Sequence, residues 1–242
     1  MVLDTMTEKN IVLSQRMQMV ADMVTKGNVL ADIGCDHGFV SIYLLEKGIC
    51  PRVIAMDVNE GPLLRAKEHI DKRGLTPYID VRLSDGMEKL LLKEADSILI
   101  AGMGGRLVIK ILTECMEKAK ALREIILQPQ SELHLVRQFL IDTGFHIIQE
   151  DMVKDNGKFY PAMRVVWREE KAKALSEEEL WYGPLLLKEK HPVLKEYLEN
   201  EKAKYAQIAE DIVKRGNNTD KETEDTIQKR RSLIDSALTC FK

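Results

Sequence analysis

The chain lacks the features of several large classes of protein. No apolar run approaches the ~18 residues of a membrane-spanning helix, and residues 1–10 contain no apolar signal-peptide core. The four cysteines, Cys35, Cys50, Cys115 and Cys240, form no C-x-x-C pair, and no histidine lies at zinc-ligand spacing from them. We therefore expect a cytoplasmic protein with reduced thiols, without a disulfide framework, a metal site or a membrane partner.

A strong excess of positive charge is also absent. The 242 residues carry a net charge of −3, and 45% are hydrophobic and 31% charged, which is the composition of an ordinary globular protein. Overall charge gives no indication of nucleic-acid binding, so a polyanionic partner would need a local basic surface. The length suits one well-buried domain with a smaller appendage, which we expect to be monomeric.

The most informative segment is ADIGCDHG at residues 31–38, where an apolar strand runs into an acidic turn that contains glycine. A dinucleotide-binding loop has G-x-G-x-x-G here, so that the backbone can approach a pyrophosphate. In this chain Asp32 and Asp36 flank Gly34, and two carboxylates would repel a pyrophosphate. A cofactor with a positive centre, such as S-adenosylmethionine, fits better. The alternative is a buried strand that ends in an ordinary strand-to-helix turn.

Helices and strands alternate along the chain as far as Trp167. An amphipathic helix is predicted from about Thr7 up to Gly27. Short apolar strands follow, each separated from the next by a helical stretch, at 29–33, 52–56, 79–83, 97–101 and 124–127. This alternation predicts a parallel sheet with right-handed crossovers. Segments 146–153 and 159–167, joined by a turn at 154–157, predict an antiparallel hairpin at the end of the sheet.

The pattern changes after Arg168, where charged residues alternate with Leu, Ile and Tyr at helical spacing. Heptad-like seams run through 194–212 and 227–241, and the turn between them offers Thr219 or Asp220 as the N-cap of the second helix. These seams predict an antiparallel, coiled-coil-like helical hairpin. The basic residues that such a hairpin leaves available for RNA phosphates are Lys195, Lys202, Lys204, Lys214, Arg215, Arg230 and Arg231. We therefore expect two domains, at residues 1–168 and 169–242.

Acidic residues follow the second and third predicted strands. Asp57 comes directly after the second strand, where a carboxylate can accept both ribose hydroxyls of a nucleoside cofactor. The alternative role for Asp57 is as the N-cap of the next helix. Asp85, in Ser84-Asp85-Gly86, would bind the adenine amino group, although Asp-Gly is also an ordinary turn dipeptide.

Glycines follow the fourth predicted strand, in Gly102-Met103-Gly104-Gly105. They would let the backbone pass close to a transferring methyl group and its acceptor, or simply let a helix begin tightly against the sheet. The N-P-P-Y type of motif found in many amino-group methyltransferases is absent from this place. Its absence favours a ring nitrogen, which already has a lone pair, as the methyl acceptor.

Four further residues are candidates with open alternatives. His37 lies on a loop at the carboxyl ends of the strands, where it can be catalytic or structural. Arg16 can pair with the carboxylate of the cofactor, pair with a substrate phosphate, or lie on the surface. Lys158 and Tyr160 can hold a phosphate and stack a base, whereas the neighbouring Phe159 also suits an aromatic core strand.

Taken together, these residues resemble the bacterial TrmK family. The resemblance covers Arg16, residues 31–38, Asp57, 84–86, 101–105, 158–161 and the helical tail. Members are tRNA (adenine-N1)-methyltransferases that act on adenine 22 in the D-arm region. The resemblance implies a class I Rossmann-like α/β domain that binds S-adenosylmethionine and a C-terminal coiled-coil-like domain associated with tRNA binding. It implies cofactor contacts at Asp32, Gly34, Gly38, Asp57, Asp85 and Gly86, with Gly102 and Met103 at the methyl-transfer site of the same cofactor pocket. We add as candidate substrate contacts Arg16, Gly104, Lys158 and Tyr160.

In this interpretation, adenine N1 attacks the sulfonium methyl, and positive charge develops on the N6 amino group. Asp36 is the first candidate for a carboxylate that stabilises this charge and accepts the proton, and His37 is the second. N1 lies on the Watson–Crick edge, so the base must be unpaired or flipped outward. The sequence leaves open a methyltransferase for another RNA base, a small molecule or a protein, a nicotinamide oxidoreductase, and an inactive tRNA-binding scaffold.

Overall fold

A computed structural model describes residues 11–215 and 221–242. The strands in these ranges are β1 (Leu30–Ile33), β2 (Val53–Asp57), β3 (Ile79–Leu83), β4 (Ser97–Ala101), β5 (Glu124–Gln128), β6 (Phe145–Asp155) and β7 (Lys158–Trp167). They form one sheet in the order β3-β2-β1-β4-β5-β7-β6. β1 to β5 are parallel, and β7 runs antiparallel to both β5 and β6. This topology confirms the predicted class I Rossmann-like sheet with an antiparallel end.

Two layers of helices cover the sheet. The helices of this part of the chain are α1 (Gln15–Asp22), α2 (Phe39–Glu46), α3 (Glu60–Lys72), α4 (Gly105–Glu114), α5 (Met116–Ala121) and α6 (Leu133–Asp142). α1, α2 and α3 pack on the face that contains Leu30, whereas α4, α5 and α6 pack on the face that contains Ala31. Because successive strand residues point to opposite faces, a strand buried on both sides is apolar at every position.

The β6–β7 hairpin turns at Asn156 and Gly157, whose φ angles are 48° and 77°. Two consecutive positive φ angles define a type I′ turn, which matches the twist of the flanking strands, and Asn-Gly is its preferred sequence. The hairpin was therefore predictable from two residues.

The C-terminal helices are α7 (Glu177–Tyr182), α8 (Pro184–Lys188), α9 (Pro192–Arg215) and α10 (Lys221–Thr239). α9 and α10 lie against each other as the predicted hairpin. With α7 and α8 they form a third core that includes Leu198 and Ile234 and is completed by Met152 of β6. The short helices α7 and α8 were not predicted separately, and Thr219 and Asp220 lie outside the described residues.

Two predicted helices differ in the structure. α1 begins at Gln15, because the Ser14 side chain accepts a hydrogen bond from the Met17 amide and caps the helix there. The part of the prediction before residue 11 lies outside the described residues. α1 also ends at Asp22, five residues before Gly27.

The helix predicted between β3 and β4 is wrong, since residues 84–96 form turns. Side chains here accept hydrogen bonds from backbone amides that a helix would use for its own hydrogen bonds. The Lys89 amide donates to Ser84 Oγ (3.1 Å), and the Leu91 amide donates to Glu94 Oε2 (2.9 Å). In the described ranges, no helix combines the length and the apolarity needed to cross a membrane.

Candidate functional site

A cleft of about 480 Å³ lies where the five parallel strands end. Each strand contributes residues to its lining: Gly34 and Asp36 after β1, Asp57 and Asn59 at β2, Asp85 and Gly86 after β3, Gly102 and Met103 after β4, and Gln130 after β5. Arg16 and Met17 of α1 close one side. The cleft thus lies at the place where parallel α/β sheets bind their ligands.

Gly34 and Met103 explain why glycine is needed in the first loop. Gly34 has a φ of +76°, and a Cβ atom built on it would collide with the Met103 methyl group. A larger residue would therefore strain the backbone and displace Met103.

Asp57 connects the loops that follow β1 and β2. One carboxylate oxygen accepts a hydrogen bond from the Asp36 amide (3.3 Å), and the other accepts one from the Asn59 amide (2.9 Å). The N-cap position of α3 belongs to Asn59, so Asp57 does not have the alternative capping role. Asp57 is 8% exposed and lines the cleft.

Asp85 lines the cleft from a turn whose shape depends on its neighbours. The buried Ser84 hydroxyl donates to the Gly86 carbonyl (3.1 Å). Gly86 has a φ of +51° and lies against Ile111 of α4. Asp85 itself is exposed, with Lys110 Nζ at 3.7 Å from its carboxylate.

Two predicted cofactor residues lie outside the cleft lining. Asp32 is buried and accepts a hydrogen bond from the Ser41 hydroxyl (2.6 Å). Burial raises the pKa of Asp32 to about 6, the Ser41 bond lowers it, and the charge of Asp57 raises it further. Gly38, at a φ of +73°, precedes α2 and lies against Ala66 of α3.

Asp36 and His37 are adjacent in the chain, but their side chains have different surroundings. Asp36 adopts a left-handed backbone conformation (φ 49°), lines the cleft and has a 66% exposed side chain. His37 does not line the cleft. Its ring lies beside Phe39 and His69, with centroids 5.6 and 6.0 Å away, and its Nε2 is 3.6 Å from Asp36 Oδ1.

Arg16 lies between the cleft and the sheet hairpin. Its Nη1 donates to Gln128 Oε1 (3.5 Å), and its guanidinium lies 5.3 Å from the centroid of the Tyr160 ring. Gln128 Oε1 also accepts the Gly102 amide (3.2 Å). Gln128 and Gln130 were not predicted as site residues, although both follow the predicted fifth strand at 124–127, which was the available signal.

Lys158 and Tyr160 line a second cavity of about 360 Å³, next to the cleft. Gly104 lines neither cavity: it precedes the first residue of α4, close to the Ser131 hydroxyl. The structure therefore brings Arg16, Gly34, Asp36, Asp57, Asp85, Gly86, Gly102 and Met103 together in the cleft, but not His37, Asp32, Gly38, Gly104, Lys158 or Tyr160.

The cysteine of the first loop, Cys35, is buried. Burial and the carboxylates of Asp32, Asp57 and Asp36 raise the pKa of Cys35 far above its usual range. Among residues 11–215 and 221–242, no group of three or more His, Cys, Asp or Glu side chains is arranged to hold a metal ion.

Comparisons with known proteins agree with this geometry. A family model described as TrmK, tRNA (adenine(22)-N(1))-methyltransferase, matches residues 30–233. The Bacillus subtilis tRNA (adenine(22)-N(1))-methyltransferase is 34% identical over 231 residues, which cover 92% of this chain and 93% of that protein.

Solved structures extend the likeness to the whole fold. The Streptococcus pneumoniae protein Sp1610 in complex with S-adenosyl-L-methionine has a TM-score of 0.84 and 32% identity, covering 94% of this chain and 100% of that one. Mycoplasma capricolum TrmK with S-adenosyl-homocysteine has a TM-score of 0.83 and 26% identity, covering 96% and 100%. The chain belongs to the TrmK family of tRNA (adenine(22)-N(1))-methyltransferases.

Proposed function

We propose that the protein transfers a methyl group from S-adenosylmethionine to N1 of adenine 22 in tRNA. The observation that carries this proposal is the cleft at the five strand ends. Asp36, Asp57 and Asp85 supply carboxylates there, and Gly34 and Gly102 allow a ligand to approach the backbone closely. Membership of the TrmK family supports the tRNA substrate. We also propose that the enzyme works in the cytoplasm and is a monomer. Light scattering would test the monomeric state.

The residues of the cleft fit S-adenosylmethionine better than a dinucleotide. Carboxylates attract its sulfonium and amino groups and accept hydrogen bonds from its ribose, whereas they would repel a pyrophosphate. Asp57 would hold the ribose hydroxyls, Asp85 the adenine amino group and Arg16 the carboxylate. Gly34, Gly86, Gly102 and Met103 would form the walls, while Asp32 and Gly38 would act indirectly, by shaping the loop between β1 and α2.

Bound in this cleft, S-adenosylmethionine supplies an electrophilic methyl group for the adenine N1 lone pair. Asp36 would then stabilise the positive charge that develops on the N6 amino group and accept a proton from it. Its exposed carboxylate in the cleft lining supports this role. His37 would assist through Asp36, since its ring nitrogen is 3.6 Å from that carboxylate.

We propose further that residues 1–168 form the catalytic domain and residues 169–242 a helical domain that helps to hold tRNA. The separate core of α7–α10 supports the division. Lys195, Lys202 and Arg231 are exposed on α9 and α10. Lys195 and Lys202 pair with Glu199 and Asp235, which are themselves exposed. Exposed ion pairs are weak, so a phosphate can replace the acid. Lys158, Tyr160 and Gly104 would contact the RNA nearer the cleft.

The test is methylation of defined transcripts. Purified protein is incubated with methyl-labelled S-adenosylmethionine and unmodified tRNA that carries adenine at position 22, or a matched transcript with uracil there. Nucleoside analysis should find 1-methyladenosine in the first transcript only. Equal labelling of both transcripts, or labelling of neither, would contradict the proposal, and tRNA from a strain that lacks the protein should lack the modification.

A further inference from the structure

The second cavity has the character of a base-binding site. It lies between the turn after β5, the start of β7 and helices α7 and α9, and its volume of about 360 Å³ is larger than one purine base. Five aromatic side chains line it: Phe159, Tyr160, Trp181, Tyr182 and Tyr197. Aromatic faces bind nucleobases by stacking.

The charges of the two cavities differ in a way that separates their ligands. Asp36, Asp57 and Asp85 line the cofactor cleft. Of the residues that the structure describes, none that lines the second cavity is acidic, and Lys158 lies exposed in its wall. A cationic cofactor is therefore attracted to the first cavity. A neutral base attached to phosphates is better accommodated in the second.

Gln130 lines both cavities. Its backbone amide donates to the Met103 carbonyl (2.9 Å), which fixes the turn after β5 against the loop after β4. Gln130 thus lies between the second cavity and the end of the cleft where Gly102 and Met103 lie. A base stacked in the second cavity can direct one edge at that end.

We propose that this second cavity receives the acceptor adenine, with its Watson–Crick edge toward Gln130. The inference rests on the proposed function and names the site of its RNA substrate. Tyr160 stacks on the base, and its other partner, Arg16, keeps the ring in place by a cation–π contact at 5.3 Å. Gln130 accepts a hydrogen bond from N6 through its side-chain oxygen, so it is a positioning residue that holds N1 free for attack.

The kinetic test compares Tyr160→Leu and Gln130→Ala with the matched variants Tyr78→Leu and Gln138→Ala. Tyr78 and Gln138 line neither cavity. Loss of one stacked base weakens binding about five- to a hundredfold, so Tyr160→Leu should raise KM for tRNA by that factor. Gln130→Ala should lower kcat about two- to tenfold. Tyr160→Phe keeps the aromatic ring and should restore KM for tRNA.

A binding test is independent of turnover. The chain has two tryptophans, Trp167 and Trp181, so Trp167→Phe leaves emission from Trp181 in the cavity wall. Adenosine monophosphate is titrated with saturating S-adenosylhomocysteine present, which blocks the cofactor cleft. Saturable quenching that Tyr160→Leu weakens is the expected result.

The outcomes separate the two proposals. Wild-type methylation at adenine 22 with unchanged kinetics in Tyr160→Leu and Gln130→Ala overturns the cavity assignment and leaves the function intact. Absence of tRNA methylation by the wild type overturns the function, while the titration still decides the cavity. Quenching that Tyr160→Leu does not alter, or no quenching at all, also overturns the assignment. Thermal unfolding of each variant shows whether it is folded.

Discussion

Arg137 and Glu150 form an ion pair that is almost completely buried. Arg137 Nε and Nη2 each lie 3.0 Å from Glu150 Oε1, and the two side chains are 1% and 0% exposed. Arg137 Nη1 donates to the Leu180 carbonyl (2.7 Å), and Glu150 Oε2 accepts the Leu185 amide (2.9 Å). The pair thus ties α6 and β6 to the α7–α8 turn, which carries part of the second cavity wall.

We expect Arg137→Met to lower the free energy of unfolding by about 3–5 kcal/mol, because it leaves the Glu150 carboxylate buried without a counter-charge. The double variant Arg137→Met/Glu150→Leu should recover much of this loss. Urea unfolding measures both. Arg123→Met breaks the exposed pair with Asp96 and should cost no more than about 1 kcal/mol. An equally small loss in Arg137→Met would contradict the buried-pair explanation.

The positions of the cleft residues follow from the sequence because strand ends in a parallel sheet meet at one edge. Asp36, Asp57, Asp85 and Gly102 each lie within three residues after the end of a predicted strand, so counting strands was enough to bring them together. Asp32 differs from these residues because it lies within β1. Its side chain points to the face of the sheet that α2 covers, where it accepts a hydrogen bond from Ser41. Nothing in the motif distinguished the buried Asp32 from the exposed Asp36.

Contacts between distant helices could not be predicted in the same way. Arg230 was expected to be free for phosphates, yet its guanidinium lies 3.9 Å from the centroid of the Trp181 ring and its side chain is 12% exposed. Helical periodicity shows which face of α10 meets α9, but not that α7 covers the next face. Among the other predicted phosphate contacts, the side chains of Lys214 and Arg215 lie outside the described residues.

Asp57→Ala should weaken S-adenosylmethionine binding about ten- to a hundredfold. A charged hydrogen-bond acceptor is worth ~1.5–3 kcal/mol, and its loss here also frees the Asp36 and Asn59 amides. Calorimetry measures the affinity, with the exposed Asp142→Ala as control. Unchanged affinity would remove Asp57 from the cofactor site, and tight NAD binding would overturn the cofactor assignment.

Asp36→Asn should lower kcat by about a hundredfold or more, the order observed when an electrostatic stabiliser is lost. Asparagine keeps the size of the side chain and tolerates the left-handed backbone found here. Single-turnover methylation of tRNA measures the effect. A normal kcat with only a raised KM for the cofactor would make Asp36 a binding residue instead.

Asp32 should make the cofactor-free protein less stable as pH rises. Its pKa is about 6 when folded, against an ordinary value of 3.8, so the folded state binds more protons between these values and stability falls from about pH 4 to 6. Above that window the cost reaches at most about 3 kcal/mol. Asp32→Asn, which can still accept from Ser41, should therefore be more stable than the wild type at pH 8 and nearly equal to it at pH 4.

Urea unfolding at both pH values measures this difference, and Asp142→Asn serves as the exposed control. A stability difference between Asp32→Asn and the wild type that does not change with pH would contradict the raised pKa.

The proposed RNA surface on α9 and α10 can be tested without removing the helices. Truncation before Glu178 would delete the Leu180 and Trp181 carbonyls that satisfy the buried Arg137, so it would disturb the catalytic domain as well. The triple variant Lys195→Gln/Lys202→Gln/Arg231→Gln removes three exposed charges and should keep the fold, because exposed ion pairs contribute little to stability. For every phosphate that the variant no longer binds, the log–log salt dependence of tRNA binding should become flatter by about one unit.

The charge-matched control is Lys67→Gln/Lys72→Gln/Lys93→Gln, which changes the net charge equally on other parts of the surface. We expect the helical triple variant to bind tRNA more weakly, with a slope flatter by up to about three, and the control to change little. Equal slopes in the two triple variants would mean that α9 and α10 stabilise the fold rather than hold tRNA. Recognition would then belong to the surface around Arg16, Lys158 and Tyr160, where an Arg16→Gln/Lys158→Gln variant should show the flatter salt dependence instead.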